Sequence, residues 1–441
     1  MGHMTPGRLA LPTSPAPVAT GRARVVIVGG GFGGLACARA LDGQPIDVLL
    51  VDSHNYHLFT PLLYQVATAL LNPSDIAYPL RACFRRSPNV RFHQARVASV
   101  DFDAKAIHTQ IGQRITYDYL VLATGSSENY FGNEQLAESA FGLKTLGQAL
   151  RLRNHVLACL ERASQAHDAA ERDRWLTFVV VGGGPTGVEY AGALVELLKL
   201  VLGQDYPDLS PGLARIVLVE GLDRVLAAFP ERLSRYAGRI LRRRGVEVRT
   251  GVLVKEASDR SALLSDGEKI QTATVVWSAG VRPTAPAQAP EPPRSRSQRI
   301  EVDAHLRIAT RHDAFAIGDV ASVRHGESEL PMLSAPAMQA GRHVARLILN
   351  EACPASSPAR GRVKRFCYRD KGTMATIGRN AAVGQIGSLA FTGFIGWAAW
   401  LTVHLYYLVG FRNRFAVFAS WGWNYLRKDR PLRIIVRADG S

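Results

Sequence analysis

The chain has 441 residues, a length that suits two or three domains. Apolar residues make up 47% of it and the mean hydropathy is near zero, which excludes a natively disordered chain. Lysine and arginine number 53 against 37 acids, a net charge of +16 that attracts anions: nucleic acid, a phosphate-rich ligand or an anionic membrane. The five cysteines (Cys37, Cys83, Cys159, Cys353 and Cys367) are scattered with no C-x-x-C pair. Reduced thiols in a cytosolic setting are therefore expected, not a disulfide framework. Residues 1–22 are rich in proline, alanine and threonine, hold no apolar signal-peptide core, and are expected to form a disordered arm.

In chain order, Val25 to Val28 is a β-branched run that reads as a buried parallel strand, followed by a helix from about Gly33 to Leu41. "IDVLLVD" is a second strand ending at Asp52, and "YDYLVLATGS" (Tyr117 to Ser126) a third that ends on small residues. Residues 146–175 have helical spacing and form either one long connector or two short helices. The first pattern then repeats as "FVVVGGGPTGVEYAGAL", Phe178 to Leu194, with later strands "RIVLVE" (Arg215 to Glu220) and "VEVRT". "TATVVWSAG" closes this block at Gly280, and "PTAPAQAPEPPRSRSQR" reads as a Pro-rich tether without strand or helix. "AFAIGDVAS", Ala314 to Ser322, is one more strand, ending on Gly-Asp.

Each repeat holds a G-x-G-x-x-G turn: Gly29, Gly31 and Gly34 in the first, Gly182, Gly184 and Gly187 in the second. The first glycine permits a tight turn, the second lets a pyrophosphate approach the backbone, and the third lets helix and strand pack closely. The helix N-terminus adds N–H donors and partial positive charge. Asp52 and Glu220 end the next strand of each repeat, where a carboxylate binds a ribose diol. One such turn is weak evidence; two with flanking strands and acids are strong, against the plainer reading of two ligand-free glycine turns. Two dinucleotides in one chain imply electrons passing between them, with a flavin in the first cradle and a nicotinamide in the second. The fold class is therefore α/β: two Rossmann-like dinucleotide-binding domains, the second inserted in the first, plus a C-terminal membrane-associated helical region. The expected boundaries are 23–145 and 299–360 for the FAD domain, 146–283 for the NADH domain, 284–298 for the linker, and 361–441 for the C-terminal region.

"GDVAS", with Gly318 and Asp319, resembles the third FAD motif of two-dinucleotide flavoproteins. The chain is more similar still to the type II NADH dehydrogenases, the single-subunit NADH:quinone oxidoreductases. The blocks that carry this resemblance are "VDSHNYHLFTPLLYQVATALLNPSDIAYPLR", "VVVGGGPTGVEYAGALVEL", "VVWSAGV", "FCYRDKGTMATIGRNAAVGQ" and "WLTVHLYYLVGFRNRFAVFASWGWNYL", within roughly residues 24–437. The stretches after Asp52 and around Arg412 are specific to that family. The resemblance implies FAD on Gly29, Gly31, Phe32, Gly33, Gly34, Asp52, Pro61, Val97, Ala123, Thr124, Gly125, Gly318 and Asp319. It implies NADH on Gly182, Gly184, Pro185, Thr186, Gly187, Glu220, Ala279 and Gly280, and no metal. Glu189 corresponds to the family's glutamate near the nicotinamide–flavin contact; the alternative is an acid that stabilises the first turn of its helix. Gln339 lies where the family has a glutamine near flavin and quinone, but Ala335 replaces a second glutamine found four residues earlier in many members. Lys371 is either a pocket-orienting residue or a solvated surface lysine.

From Ala381 to Phe411 no residue is formally charged, and four of the six tryptophans follow residue 396. Length alone would permit one transmembrane helix. Five glycines, Gln385 and His404 interrupt the run, however, and basic residues bracket the aromatic segment after it. That pattern suits a monotopic anchor on an anionic lipid surface, or helices buried in a homodimer interface. The expected activity is hydride transfer from NADH to flavin and then two-electron reduction of a membrane quinone, at the cytoplasmic face of the membrane and without proton pumping. No nucleic acid is expected. The competing readings are an enzyme like sulfide:quinone oxidoreductase, which needs redox cysteines, and a non-catalytic redox-sensing flavoprotein.

Overall fold

A computed structural model describes residues 21–436 apart from 310, 327, 354–360, 362 and 428. The arm expected over residues 1–22 lies, but for its last two residues, outside the described chain. The first repeat supplies β1 (Arg24–Val28), α1 (Phe32–Leu41), β2 (Asp47–Asp52), β3 (Val90–Gln94) and β4 (Tyr119–Leu122). The second supplies β5 (Thr177–Val181), α2 (Pro185–Gln204), β6 (Arg215–Glu220), β7 (Val246–Thr250) and β8 (Thr274–Trp277). Further on come β9 (Ala314–Ala316), α3 (Ser334–Ala352), α4 (Gly393–Tyr407) and α5 (Phe411–Arg427).

These elements divide into two compact units. The first takes described residues from Met1–His57, Leu80–Gly125 and Pro283–Tyr368. Its sheet has the order β9-β4-β1-β2-β3 and every pairing in it is parallel. Parallel strands covered on both faces must be apolar throughout, and Val25, Val26 and Ile27 are fully buried. Helices α1 and α3 cross at a glycine contact, since a Cβ on Gly341 would collide with the Gly33 carbonyl. The Pro-rich stretch is not the structureless tether expected from its composition. Ala287–Ala289 pairs in parallel with the strand Val97–Asp101, and Phe102 N–H donates to the Ala289 carbonyl at 2.9 Å. Proline removes only the donor of its own residue, so the three proline-free residues can still join an edge.

The second unit takes described residues from Leu58–Pro79, Ser126–Arg282 and Arg369–Ser441. Its main sheet runs Phe141–Gly142, β8, β5, β6, β7, again all parallel, so the sequence repeat is a repeat of topology. The connector over 146–175 resolves into two helices, Leu146–Gln165 and Ala169–Leu176, and Asp168 caps the second by accepting from the Glu171 N–H at 2.7 Å. The compact units divide the chain differently from the expected boundaries: 58–79 and 126–145 fall in the second unit, and the described residues of 283–298 and 361–368 in the first. The rest of the C-terminal region is part of the second unit, beginning with the antiparallel strands Thr373–Thr376, Ala382–Ile386 and Leu389–Thr392.

The uncharged run does not form one long helix. It turns at Gly410, whose φ of +90° favours glycine and whose missing Cβ would lie 2.6 Å from Tyr78 Cε2. Among the described residues no helix is long and apolar enough to cross a membrane.

Candidate active site

In the first cradle Gly29 takes φ +108° and donates its N–H to the Val51 carbonyl at 2.8 Å. A Cβ on Gly29 would strike the Ala123 carbonyl, and one on Gly34 would strike the carbonyl of Gly29 itself. Gly31 caps α1, has open space where a Cβ would stand, and opens a helix with no acid in its first turn. These are the properties a pyrophosphate site requires: close backbone approach and N–H donors whose positive end no carboxylate neutralises. Asp52 is held at the strand end by two backbone donors, Gly30 N–H to Oδ2 at 2.6 Å and His54 N–H to Oδ1 at 2.7 Å. Each oxygen keeps a lone pair for a ribose hydroxyl.

The second cradle reproduces this geometry group for group. Gly182 takes φ +103° and donates to the Val219 carbonyl at 2.8 Å, and a Cβ there would lie 2.7 Å from Ser278 C. A Cβ on Gly187 would strike the Gly182 carbonyl. Gly184 is the open cap, Pro185 fills the first helical position, Thr186 is exposed beside it, and α2 too starts without an acid. Glu220 accepts from Gly183 N–H at 2.5 Å and from Leu222 N–H at 2.8 Å, as Asp52 does in the first unit. Leu222 and Leu253, both strongly exposed, stand beside this acid. At the other edge β8 runs out into Ala279 and Gly280, the latter at φ +92°.

The remaining residues singled out in the sequence separate between the units. Phe32 and Gly33 lie in the first turn of α1, the Phe32 ring meeting His57 edge-on at 5.1 Å. Val97 begins its strand half-buried, Ala123 to Gly125 follow β4, and Gly318 and Asp319 form a tight turn after β9. All of these belong to the first unit, as does Gln339, half-buried on α3 one turn after Ala335. Pro61 lies in the short turn Thr60–Leu62, which belongs to the second unit. Glu189 and Lys371 also belong to the second unit, but no hydrogen bond or ion pair joins them, and Lys371 is exposed.

Glu189 sits on α2 beyond its first turn and is buried. Its Oε1 accepts from Thr376 N–H and from Trp400 Nε1, each at 3.2 Å. Burial pushes its pKa up to about 8, outweighing both bonds, so the carboxyl is protonated at neutral pH. A group that simply stabilises a helix start would be ionised and solvated; this one is neither.

Sequence reasoning missed the setting of this carboxyl. Beside it in the second unit lies a cavity of about 50 Å³ walled by Tyr64, Trp397, Trp400, Trp421 and Arg430. Trp421 Nε1 donates to Gln65 Oε1 at 2.7 Å, and Asn413 Nδ2 donates to the Ser74 carbonyl at 3.0 Å. Arg430, only 2% exposed, donates to the carbonyls of Thr68 and Ala193 and to Glu196 Oε2. A signal for this was available: the two stretches specific to the family, after Asp52 and around Arg412, are the ones that bond to each other here.

The cysteines supply no redox pair. All five are free thiols; burial pushes Cys37 up to about 12 and Cys159 to about 11. Cys159 lies 3.4 Å from His155 Nε2, a histidine itself pushed down to about 4 by burial and therefore neutral. A thiol this reluctant to ionise packs; it does not attack.

Residues 23–341 match the pyridine nucleotide-disulphide oxidoreductase family. Over 422 residues, 93% of this chain and 88% of its relative, the sequence is 37% identical to the type II NADH:quinone oxidoreductase NdhA of Mycobacterium tuberculosis. The chain belongs to the type II NADH:quinone oxidoreductases. The structure of NDH2 from Plasmodium falciparum in complex with NADH matches with a TM-score of 0.85, at 19% identity, over 94% of this chain and 100% of that one. The sulfide:quinone oxidoreductase of Aquifex aeolicus shares the fold less closely, with a TM-score of 0.70 at 18% identity over 94% and 96% of the two chains. The type II assignment leaves that rival activity the less supported reading.

Proposed function

We propose that this chain carries electrons from NADH through FAD to a membrane quinone, without translocating protons. The observation that carries the reading is the pair of matched cradles, one per unit, each with an open capping glycine and an acid tied to the backbone. Bound FAD supplies an acceptor for the hydride of NADH and a donor of two electrons to the quinone. The protein binds and orients the two nucleotides. Gly29 to Gly34 and Asp52 would seat the FAD diphosphate and ribose, with Val97, Ala123 to Gly125, Gly318 and Asp319 completing that site. Gly182 to Gly187 and Glu220 would seat the NADH diphosphate and ribose, Leu222 and Leu253 its adenine, and Ala279 and Gly280 its other half. Gln339 is assigned to the quinone, Lys371 to the orientation of the pocket, and Glu189 to holding a proton within it.

NADH oxidation should depend on an added short-chain quinone, and kcat/KM for NADH should exceed that for NADPH at least tenfold. Glu220 accepts from a 2′-hydroxyl and repels a 2′-phosphate. Arg224, the residue that could neutralise that phosphate, is turned to Asp223 at 3.3 Å and to the Ala227 carbonyl at 3.4 Å. Parity between the two donors would show that Arg224 swings free, and the lack of quinone dependence would refute the acceptor.

We place the protein peripherally on the cytoplasmic side of an anionic membrane, and what supports the peripheral seat is the exposed α4–α5 face. Phe394, Ile395, Tyr406, Phe415, Phe418 and Leu426 are all more than half exposed, with the exposed Arg412 and Arg427 at either end of α5. Each such side chain gains about 1.5–3 kcal/mol when fully buried, against about 1 kcal/mol for a basic residue at an anionic surface. The apolar contribution dominates, so Phe415→Asp with Phe418→Asp should reduce co-flotation with anionic vesicles at least tenfold, whereas 0.5 M salt should weaken it only slightly. Release by salt alone would mean that charge holds the protein there. A homodimer whose subunits cover part of the same face is the companion proposal, and it would appear as a monomer–dimer shift in the same double variant.

A further inference from the structure

Phe131 borders the second cradle without belonging to its glycine motif. Its ring is 70% exposed and its backbone takes φ +53°, a left-handed conformation that bulky side chains avoid. The loop that holds it there is tied down on both sides. Trp277 Nε1 donates to the Asn129 carbonyl at 3.0 Å, Asn129 N–H donates to the Gly280 carbonyl at 3.2 Å, and Phe131 N–H donates to Asn129 Oδ1 at 2.9 Å. Tyr130 stacks on Trp277 at 5.4 Å. On the far side Asn133 accepts from Leu136 N–H and donates to the Lys255 carbonyl. The ring leans on Gly280 so closely that a Cβ there would lie 2.9 Å from Phe131 Cζ. A strained backbone, a fixed loop and a ring that is backed by Trp277 edge-on at 6.4 Å yet stays 70% exposed form an apolar wall.

The order of the sheet says what the wall faces. A dinucleotide lies across the carboxyl ends of the strands, its diphosphate at the α2 N-terminus. Glu220, at the end of β6 on one side of β5, takes the adenosine ribose. The other half of the ligand is thereby directed to the opposite side of β5, where β8 ends at Gly280 and Phe131 stands. We propose that Phe131 is a positioning residue for NADH, the wall against which its nicotinamide–ribose half is seated. This rests on the reading that the second cradle holds NADH.

The test compares NAD+ with ADP, which lacks the nicotinamide–ribose half, as calorimetric ligands of the full-length holoenzyme. Phe131→Asn removes the ring while keeping a residue that tolerates a left-handed backbone, and Phe131→Tyr keeps the ring. The expected result is a rise of about tenfold in Kd for NAD+ in Phe131→Asn, with ADP within twofold of the parent, and NAD+ affinity restored in Phe131→Tyr. Steady-state KM for NADH should rise more than kcat falls, and the thermal midpoint should not drop. Unchanged NAD+ affinity overturns the proposal, including the case in which the variant changes oligomeric state instead. Equal weakening of both ligands also overturns it, because the loop would then be supporting the whole cradle. If Glu220→Ala leaves ADP affinity unchanged, the underlying reading of the second cradle fails, and that outcome is distinct from either result at Phe131.

Discussion

Gly187→Ala is expected to abolish NADH oxidation while the protein stays yellow. The added methyl group would meet the Gly182 carbonyl and lie 2.7 Å from Ser278 Oγ. A backbone carbonyl has no rotamer to retreat into, and Gly182 is itself pinned by its N–H bond to Val219. The start of α2 must therefore move off β5, and the cradle that approaches the diphosphate opens. Overpacking of this kind costs about 1–3 kcal/mol in a tolerant core, and more where only backbone can yield. The loss of a seated diphosphate should add a fall of at least 100-fold in kcat/KM for NADH. Gly34→Ala is the mirror experiment, since its methyl group would meet the Gly29 carbonyl in the first unit. That variant should be colourless. Flavin absorbance and NADH:ferricyanide activity, read together on both variants, assign one cradle to each nucleotide. If Gly187→Ala lost flavin, or kept activity within tenfold of the parent, the assignment would be wrong.

Glu189→Gln is expected to raise stability at alkaline pH and to leave it unchanged in acid. Below the ordinary carboxyl pKa of 4.5 both the folded and the unfolded chain hold the proton. Between there and about 8 only the folded chain does, so the contribution of Glu189 to stability is full below 4.5 and falls away as pH rises to about 8. Ionising a buried carboxyl over that interval costs roughly 3–5 kcal/mol. Glutamine does not titrate, and its carbonyl oxygen can accept the Thr376 and Trp400 bonds that Oε1 now takes. Urea midpoints for the two proteins should coincide near pH 4 and separate in favour of the glutamine variant by pH 8.5. Parallel profiles across that range would show that Glu189 is ionised in the folded chain and that its burial is relieved by water.

The parts of this protein whose chemistry is local are legible in its residue order. A left-handed turn at Gly29 or Gly182, a helix cap open to an anion at Gly31 or Gly184, and an acid at the end of the neighbouring strand are each set within a few tens of residues. The two cradles, their order and the parallel sheets around them therefore follow from the amino-acid pattern alone. The turn at Gly410 also had its signal in the glycine itself, although only the contact with Tyr78 shows why the chain bends there.

Whatever depends on partners distant in the chain is settled by packing. Residues 58–79 follow the first cradle in sequence but pack in the second unit, because Asn413, Trp421 and Arg430 satisfy their carbonyls and side chains from more than 330 positions away. The Pro-rich stretch joins a sheet because a strand edge near residue 99 offers it carbonyls and N–H groups, which composition does not record. The carboxyl of Glu189 holds its proton because tertiary packing buries it, which outweighs the Thr376 and Trp400 bonds that favour the ionised form; a helix position alone would have left it ionised. Phe131 is exposed and strained for the same kind of reason: Trp277 and Gly280, almost 150 residues later, hold the loop that carries it. Backbone conformation follows from neighbours in sequence, whereas burial, and with it protonation and the direction a side chain faces, follows from neighbours in space.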